Sequence, residues 1–220
     1  MNENKSCHQQ NKNIMDKTYY DKIKTGLESN YAKKIISAVK LLQKEYVSGF
    51  EEIIVHILEN RYRTNKSWEV QSELIKLLGK ECIMSALPII KEIVTKNVEF
   101  DMVTIQAAMA YLRMTRENIS DVSPIISMFG KIGYSVGEGF LSCLGEDLMI
   151  PSVDNQNKLI SYFWDFGNPT PLGHIDPRFG LAQAAQKWKT PEAEKFIEHC
   201  SLSLDSKLSN FAMKIIQKHK

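Results

Sequence analysis

Asp165, Phe166 and Gly167 spell a tripeptide whose carboxylate holds Mg2+ in some phosphoryl-transfer enzymes. That chemistry also needs a glycine-rich phosphate loop, a strand lysine and a catalytic-loop carboxylate, and the chain has none of them, so the tripeptide is read as a chance match. Gly130, Gly133, Gly137 and Gly139 fit neither G-x-G-x-x-G nor a phosphate-cradling loop. They are expected to form a tight turn and a close helix contact. Five histidines (His8, His56, His174, His199, His219) never stand at H-x-x-x-H or H-E-x-x-H spacing, so no metal site is predicted. Cys7, Cys82, Cys143 and Cys200 lie dozens of residues apart and read as reduced thiols. The adjacent pairs Cys7-His8 and His199-Cys200 point their side chains in different directions and read as ordinary residues. No nucleophile is singled out by a neighbouring base, so no catalytic residue and no cofactor is predicted, and the chain reads as a non-enzyme.

One segment has the composition of a binding surface. Tyr162-Phe163-Trp164-Asp165-Phe166 runs into a stretch from Gly167 to Pro177 that holds Pro169, Pro171, Gly173, His174 and Asp176. This is the longest break in the helical pattern, and long ordered loops often carry function. Aromatic anchors ringed by mixed charges are the composition of interface hot spots. Tyr162, Trp164, Asp165, Phe166, His174, Asp176 and Arg178 are therefore the candidate protein-binding residues. The competing reading is that Phe163 and Trp164 plug the core and the prolines stiffen the crossing.

Apolar residues recur at helical spacing over nearly the whole chain. Ile35, Ile36, Val39 and Leu42 form one stripe, and Phe50, Ile53, Ile54, Ile57 and Leu58 the next. The pattern predicts helices near 17–28, 30–47, 50–62, 67–79, 85–97, 101–115, 121–131, 135–147, 153–166, 178–188, 191–201 and 205–218. Strand-like alternation is absent, and no Asn-Gly or Asp-Gly hairpin signal occurs. Ser67, Thr190 and Asp205 stand where helix N-caps are expected, and Gly79 where a helix should stop.

Four successive helical hairpins would begin near residues 30, 67, 101 and 134, a period in the range of helical repeat arrays. Leu87-Pro88-Ile89-Ile90 returns 36 positions later as Ser123-Pro124-Ile125-Ile126, each time at a helix start. Val70-Gln71, Leu74 and Leu77 align with Ile105-Gln106, Met109 and Leu112 at an offset of 35. A lone helical hairpin cannot bury both apolar faces, so neighbours stack.

The arrangement resembles HEAT-like helical repeats. Asp176-Pro177-Arg178 with Ala182 and Ala185, followed by Pro191-Glu192-Ala193, Phe196 and Ile197, is similar to the Asp, Arg, Ala-x-x-Ala and Pro positions of one such repeat. Gln71 and Gln106 stand where that family often has Arg. The resemblance implies an all-α superhelix, a HEAT/ARM-like solenoid of about five helical hairpins. It would occupy residues 16–220, preceded by a disordered N-terminal tail over 1–15 whose polar, Asn-rich composition cannot offset its ordering entropy.

Charge is uneven. Residues 1–47 hold nine Lys against five acids, and residues 101–180 hold nine acids against five basic residues. The net charge of +2 and the five Arg among 28 basic residues disfavour a nucleic-acid binder. No run reaches the ~20 apolar residues of a membrane span, and Met1 to Asn13 has no signal-peptide core, so a cytoplasmic chain without membrane partners is predicted. A solenoid implies a concave face lined by second helices, here with Glu52, His56, Glu59, Lys91, Thr95, Asn155, Lys158 and Tyr162 towards solvent. The expected function is a protein-binding module for a basic partner, in its narrowest form an immunity-type inhibitor of a basic toxin. The alternative is a HEAT-like DNA glycosylase or other DNA-repair protein, with Trp164, Asp165 and Trp188 in a cleft.

Overall fold

The computed structural model describes residues 17–167, 170 and 174–218, and over these the helical stripes become twelve α-helices with no strand. The expected tail over 1–15 and part of the 167–177 loop lie outside the described residues. The chain divides into two compact units, Met1–Met114 and Thr115–Lys220.

The first unit contains α1 (Lys17–Leu27), α2 (Ala32–Lys44), α3 (Glu51–Arg63), α4 (Trp68–Lys80), a 3-10 turn (Met84–Ala86), α5 (Leu87–Lys96) and α6 (Met102–Thr115), which ends at the boundary. α1 packs on α2, α3 on α4, and α2 and α4 pack on each other. Ile35, Val39, Leu42, Ile54, Leu58, Leu74, Leu78 and Leu112 are fully buried there. Each such side chain contributes roughly 1.5–3 kcal/mol.

Two local expectations need correction in this unit. Gly79 does not stop its helix, which runs on to Lys80. A Cβ on Gly79 would lie 2.5 Å from the Ala110 Cβ, so this glycine permits close approach of α4 and α6. The turn is made instead by Cys82 at φ +51°, with Ile83 N–H donating to Leu78 O. Ser67 does not cap α4 with its side chain, because it too adopts a left-handed conformation; its hydroxyl accepts from Arg61. Gln71 is buried and donates to the Lys66 and Arg61 carbonyls, tying down the turn before its own helix.

The second unit contains α7 (Ser123–Ile126), α8 (Tyr134–Glu146), α9 (Val153–Phe163), α10 (Arg178–Ala185), α11 (Pro191–Ser201) and α12 (Ser206–Lys218). α8 packs on α10, α9 on α11, and α10 and α12 on α11. Thr190 and Asp205 cap as expected: Ala193 N–H donates to the Thr190 hydroxyl and Leu208 N–H to the Asp205 carboxylate, at 3.3 and 2.8 Å. The helix expected over 121–131 is one turn long. The Ser127 hydroxyl donates to Pro124 O, the following N–H groups bond three residues back, and Gly130 turns the chain at φ +80°. Pro88 and Pro124 both sit in the first turn of their helices, where a missing N–H costs nothing. α8 and α10 cross at glycines: a Cβ on Gly180 would lie 2.2 Å from Leu141 O, and one on Gly145 2.7 Å from Gly180 O.

Candidate functional site

The candidate surface is assembled where α9 gives out. Phe163, fully buried, ends the helix, and Gly167 at φ +72° reverses the chain against Pro177 and Tyr134. Between them Trp164 is half-buried: its ring stacks on His199 of α11 at 4.6 Å between centroids and meets the edge of Phe196. Asp165 lies outside this stack with its side chain 65% exposed, and its carboxylate is 3.1 Å from His199 Nε2. Trp164, His199 and Asp165 thus form an aromatic step with an acidic lip.

Beneath the step lies a buried ion pair. Asp176 and Arg178 are 1% and 2% exposed. The Arg178 guanidinium donates to Asp176 through Nε and NH2, the latter at 2.5 Å, and the Arg178 backbone N–H donates to the same carboxylate. Its remaining N–H groups reach Trp164 O, Ser203 Oγ and His199 Nε2, each at 3.4 Å. Burial opposes the arginine's charge, but the hydrogen bonds to Asp176 outweigh it and hold its pKa above the usual value. His199 Nε2 serves one neighbour at a time: protonated, it donates to Asp165, and deprotonated, it accepts from Arg178.

This placement corrects the expected surface. Asp176 and Arg178 are not contact residues; desolvation is tolerated there only because each neutralises the other, and the pair positions the step above it. Phe166 packs inward, against a Gly137 where a Cβ would lie 2.2 Å from its ring. Tyr162 is half-buried, stacked on Phe129 at 3.9 Å, with its hydroxyl accepting from Gly130 N–H. His174 stays exposed, edge-on to Tyr134, whose hydroxyl donates to Ile175 O. Of the seven candidates, Trp164 and Asp165 are brought together with solvent access. Trp188 belongs to the core, its Nε1–H donating to Met149 O at 2.8 Å. Glu52, His56, Glu59, Lys91, Thr95 and Lys158 are exposed as expected, while Asn155 is half-buried.

His199 is the neighbour of Trp164 and Asp165 that sequence reasoning passed over. The available signal was a spacing within the expected period of roughly 33 to 37 residues, since Asp165 and His199 are 34 residues apart, as are Gln156 and Thr190, which also bond. The adjoining Cys200 thiol is buried, and that burial pushes it up to about 12. Glu138, on α8, has its carboxyl raised to about 7 by burial. Among the described residues no group of His, Cys, Asp and Glu is arranged to hold a metal ion. No helix among them is long and apolar enough to cross a membrane. Comparison with known proteins finds no matching family model, curated protein or solved structure.

Proposed function

We propose that the chain is a non-enzymatic protein-binding module built of HEAT-like helical hairpins, and that the Trp164–Asp165–His199 step is its principal contact in the second unit. Three features support the hairpin reading. Alternate helices pack on one another, the two prolines recur at helix starts, and bonded pairs such as Gln43 and Glu73, Gly130 and Tyr162, and Asp165 and His199 recur at separations of 30 to 34 residues.

The carrying observation for function is the fixed yet exposed Asp165 carboxylate. His199 Nε2 lies 3.1 Å and the buried Arg178 NH1 4.0 Å from the carboxylate, and the imidazole is itself stacked on the Trp164 indole, while Asp165 remains largely in water. Such preorganisation spares a binder the entropy of ordering the side chain on contact. With nine acids against five basic residues over 101–180, the fitting partner is a basic protein, and an immunity-type inhibitor of a basic toxin is the narrowest form of the proposal.

The test is affinity capture from native lysate with the full chain, then titration of the captured protein against Asp165→Asn and His174→Ala. Asp165→Asn is expected to weaken binding about tenfold, equivalent to ~1.4 kcal/mol, without lowering the melting temperature. Binding indifferent to Asp165, or tight and steeply salt-dependent binding to duplex DNA, would overturn the proposal, the latter in favour of the DNA-repair reading.

A further inference from the structure

The first unit carries a second surface of opposite character, made by its α1–α2 hairpin. Residues 17–44 hold seven lysines against Asp21 and Glu28, and Glu28 already stands 3.9 Å from Lys24. Between α1 and α2 lies an open groove of about 430 Å3. Gly26, Ala38 and Leu41 form its apolar floor, and Lys22, Lys34 and Asp21 stand on its rim. The floor is shallow because Gly26 meets Ala38: a Cβ there would come within 2.7 Å of the alanine methyl. Lys34 also extends over the Tyr31 ring, 5.5 Å from its centre, so the groove runs on to an aromatic platform.

That platform is exposed and held in place. Tyr31 is 70% and Trp68 55% exposed, at the starts of α2 and α4, which pack on each other. Arg61 fastens the two starts together by donating to Asn30 O and to the Ser67 hydroxyl. Large exposed aromatics beside lysines are costly to leave in water, and Trp, Tyr and Arg are the residue types that dominate interface hot spots.

We infer that the α1–α2 groove and the Tyr31–Trp68 platform form a docking site for an acidic amphipathic helix of a protein partner. The helix lays its apolar face along Gly26, Ala38 and Leu41, sets an apolar anchor against Tyr31 and Trp68, and directs its carboxylates to Lys22 and Lys34. The small floor residues allow its backbone to approach closely. Charge selects this occupant, since the hairpin's surplus of lysine complements acidic and repels basic sequences. This inference uses none of the residues of the second-unit site, so either can fail alone.

The probe is a fluorescein-labelled 18-residue model helix with Leu at i, i+3, i+4 and i+7 positions, Glu on its opposite face and one Trp, titrated by anisotropy into the full chain. Micromolar binding is expected, weakening about tenfold between 50 and 300 mM salt. Lys22→Glu with Lys34→Glu should abolish it, and Tyr31→Ala or Trp68→Ala should weaken it roughly five- to tenfold. All four side chains are exposed, so thermal melts are expected to match the parent. A scrambled peptide of equal charge without the apolar face should bind at least about tenfold more weakly. Equal binding of the scrambled peptide, or indifference to the lysine reversal, would overturn the inference. So would two reassignments: vesicles with about 30% phosphatidylserine binding in a Lys34-dependent way while the peptide does not, or self-association by sedimentation that the lysine reversal removes.

Discussion

Replacing Asp176 by Asn removes one charge and turns one of two acceptor oxygens, which take hydrogen bonds from Arg178 and Ser203, into an N–H donor. Asn keeps the shape and can still accept from the Arg178 backbone N–H, but it leaves a guanidinium that is 2% exposed without its counter-charge. Removing one partner of a buried pair typically costs ~3–5 kcal/mol. The lower end applies here, since Trp164 O and Ser203 Oγ still accept from Arg178, giving about 3 kcal/mol. For a chain of this length that corresponds to a fall in melting temperature of ~6–12 °C. Urea unfolding followed by circular dichroism measures it, with Arg178→Met and the double variant Asp176→Asn/Arg178→Met completing a cycle. The double variant should be less destabilised than the sum of the singles by about 2 kcal/mol, because it leaves no unpaired charge in the interior. Additive single effects, or an Asp176→Asn cost below about 1 kcal/mol, would refute the view that charge compensation holds the step in place.

Glu138 gives a pH signature. Its folded pKa of about 7 lies above the ordinary 4.5, so the folded state holds that proton more tightly and its contribution to stability falls as pH rises from about 4.5 to 7. Glu138→Gln should flatten that fall and stabilise the protein at pH 8 by ~1–2 kcal/mol after allowance for solvent screening; melting curves from pH 4 to 8 that run parallel for parent and variant would contradict it. The two kinds of glycine should separate cleanly in chemical denaturation. Gly180→Ala, whose Cβ would strike the Leu141 carbonyl at 2.2 Å, should cost roughly 3 kcal/mol, while Gly130→Ala, with open space around it, should cost about 1 kcal/mol through its φ of +80° alone.

Most of the fold was legible because helical periodicity is a one-dimensional signal. The twelve expected helices coincide with the twelve observed to within a few residues, except over 121–131. There the apolar spacing continues, but the Ser127 hydroxyl competes for a backbone carbonyl and Gly130 permits the turn, details that periodicity does not carry. The site was legible in part. The aromatic run at 162–166 marks the end of α9, where Trp164 and Asp165 both meet His199. What could not be read locally was direction. Asp176 and Arg178 look like a surface charge pair, yet both turn inward, because Ser203 and the Trp164 carbonyl, distant in sequence, complete their hydrogen bonds. Likewise His199 becomes meaningful only once α11 is laid against the end of α9.

The buried thiols make the second unit a clock for its own opening. A thiolate, not a thiol, reacts with alkylating agents, and burial pushes the Cys200 thiol up to about 12. Cys143 is sealed as fully, and in the other unit Cys82 is half-buried with its S–H turned towards the Gly79 and Arg113 carbonyls. Labelling of Cys143 and Cys200 is therefore paced by how often the second unit breathes. The second unit thus carries two native stopwatches, placed where its core closes, that an alkylating reagent reads without any residue being engineered into the chain.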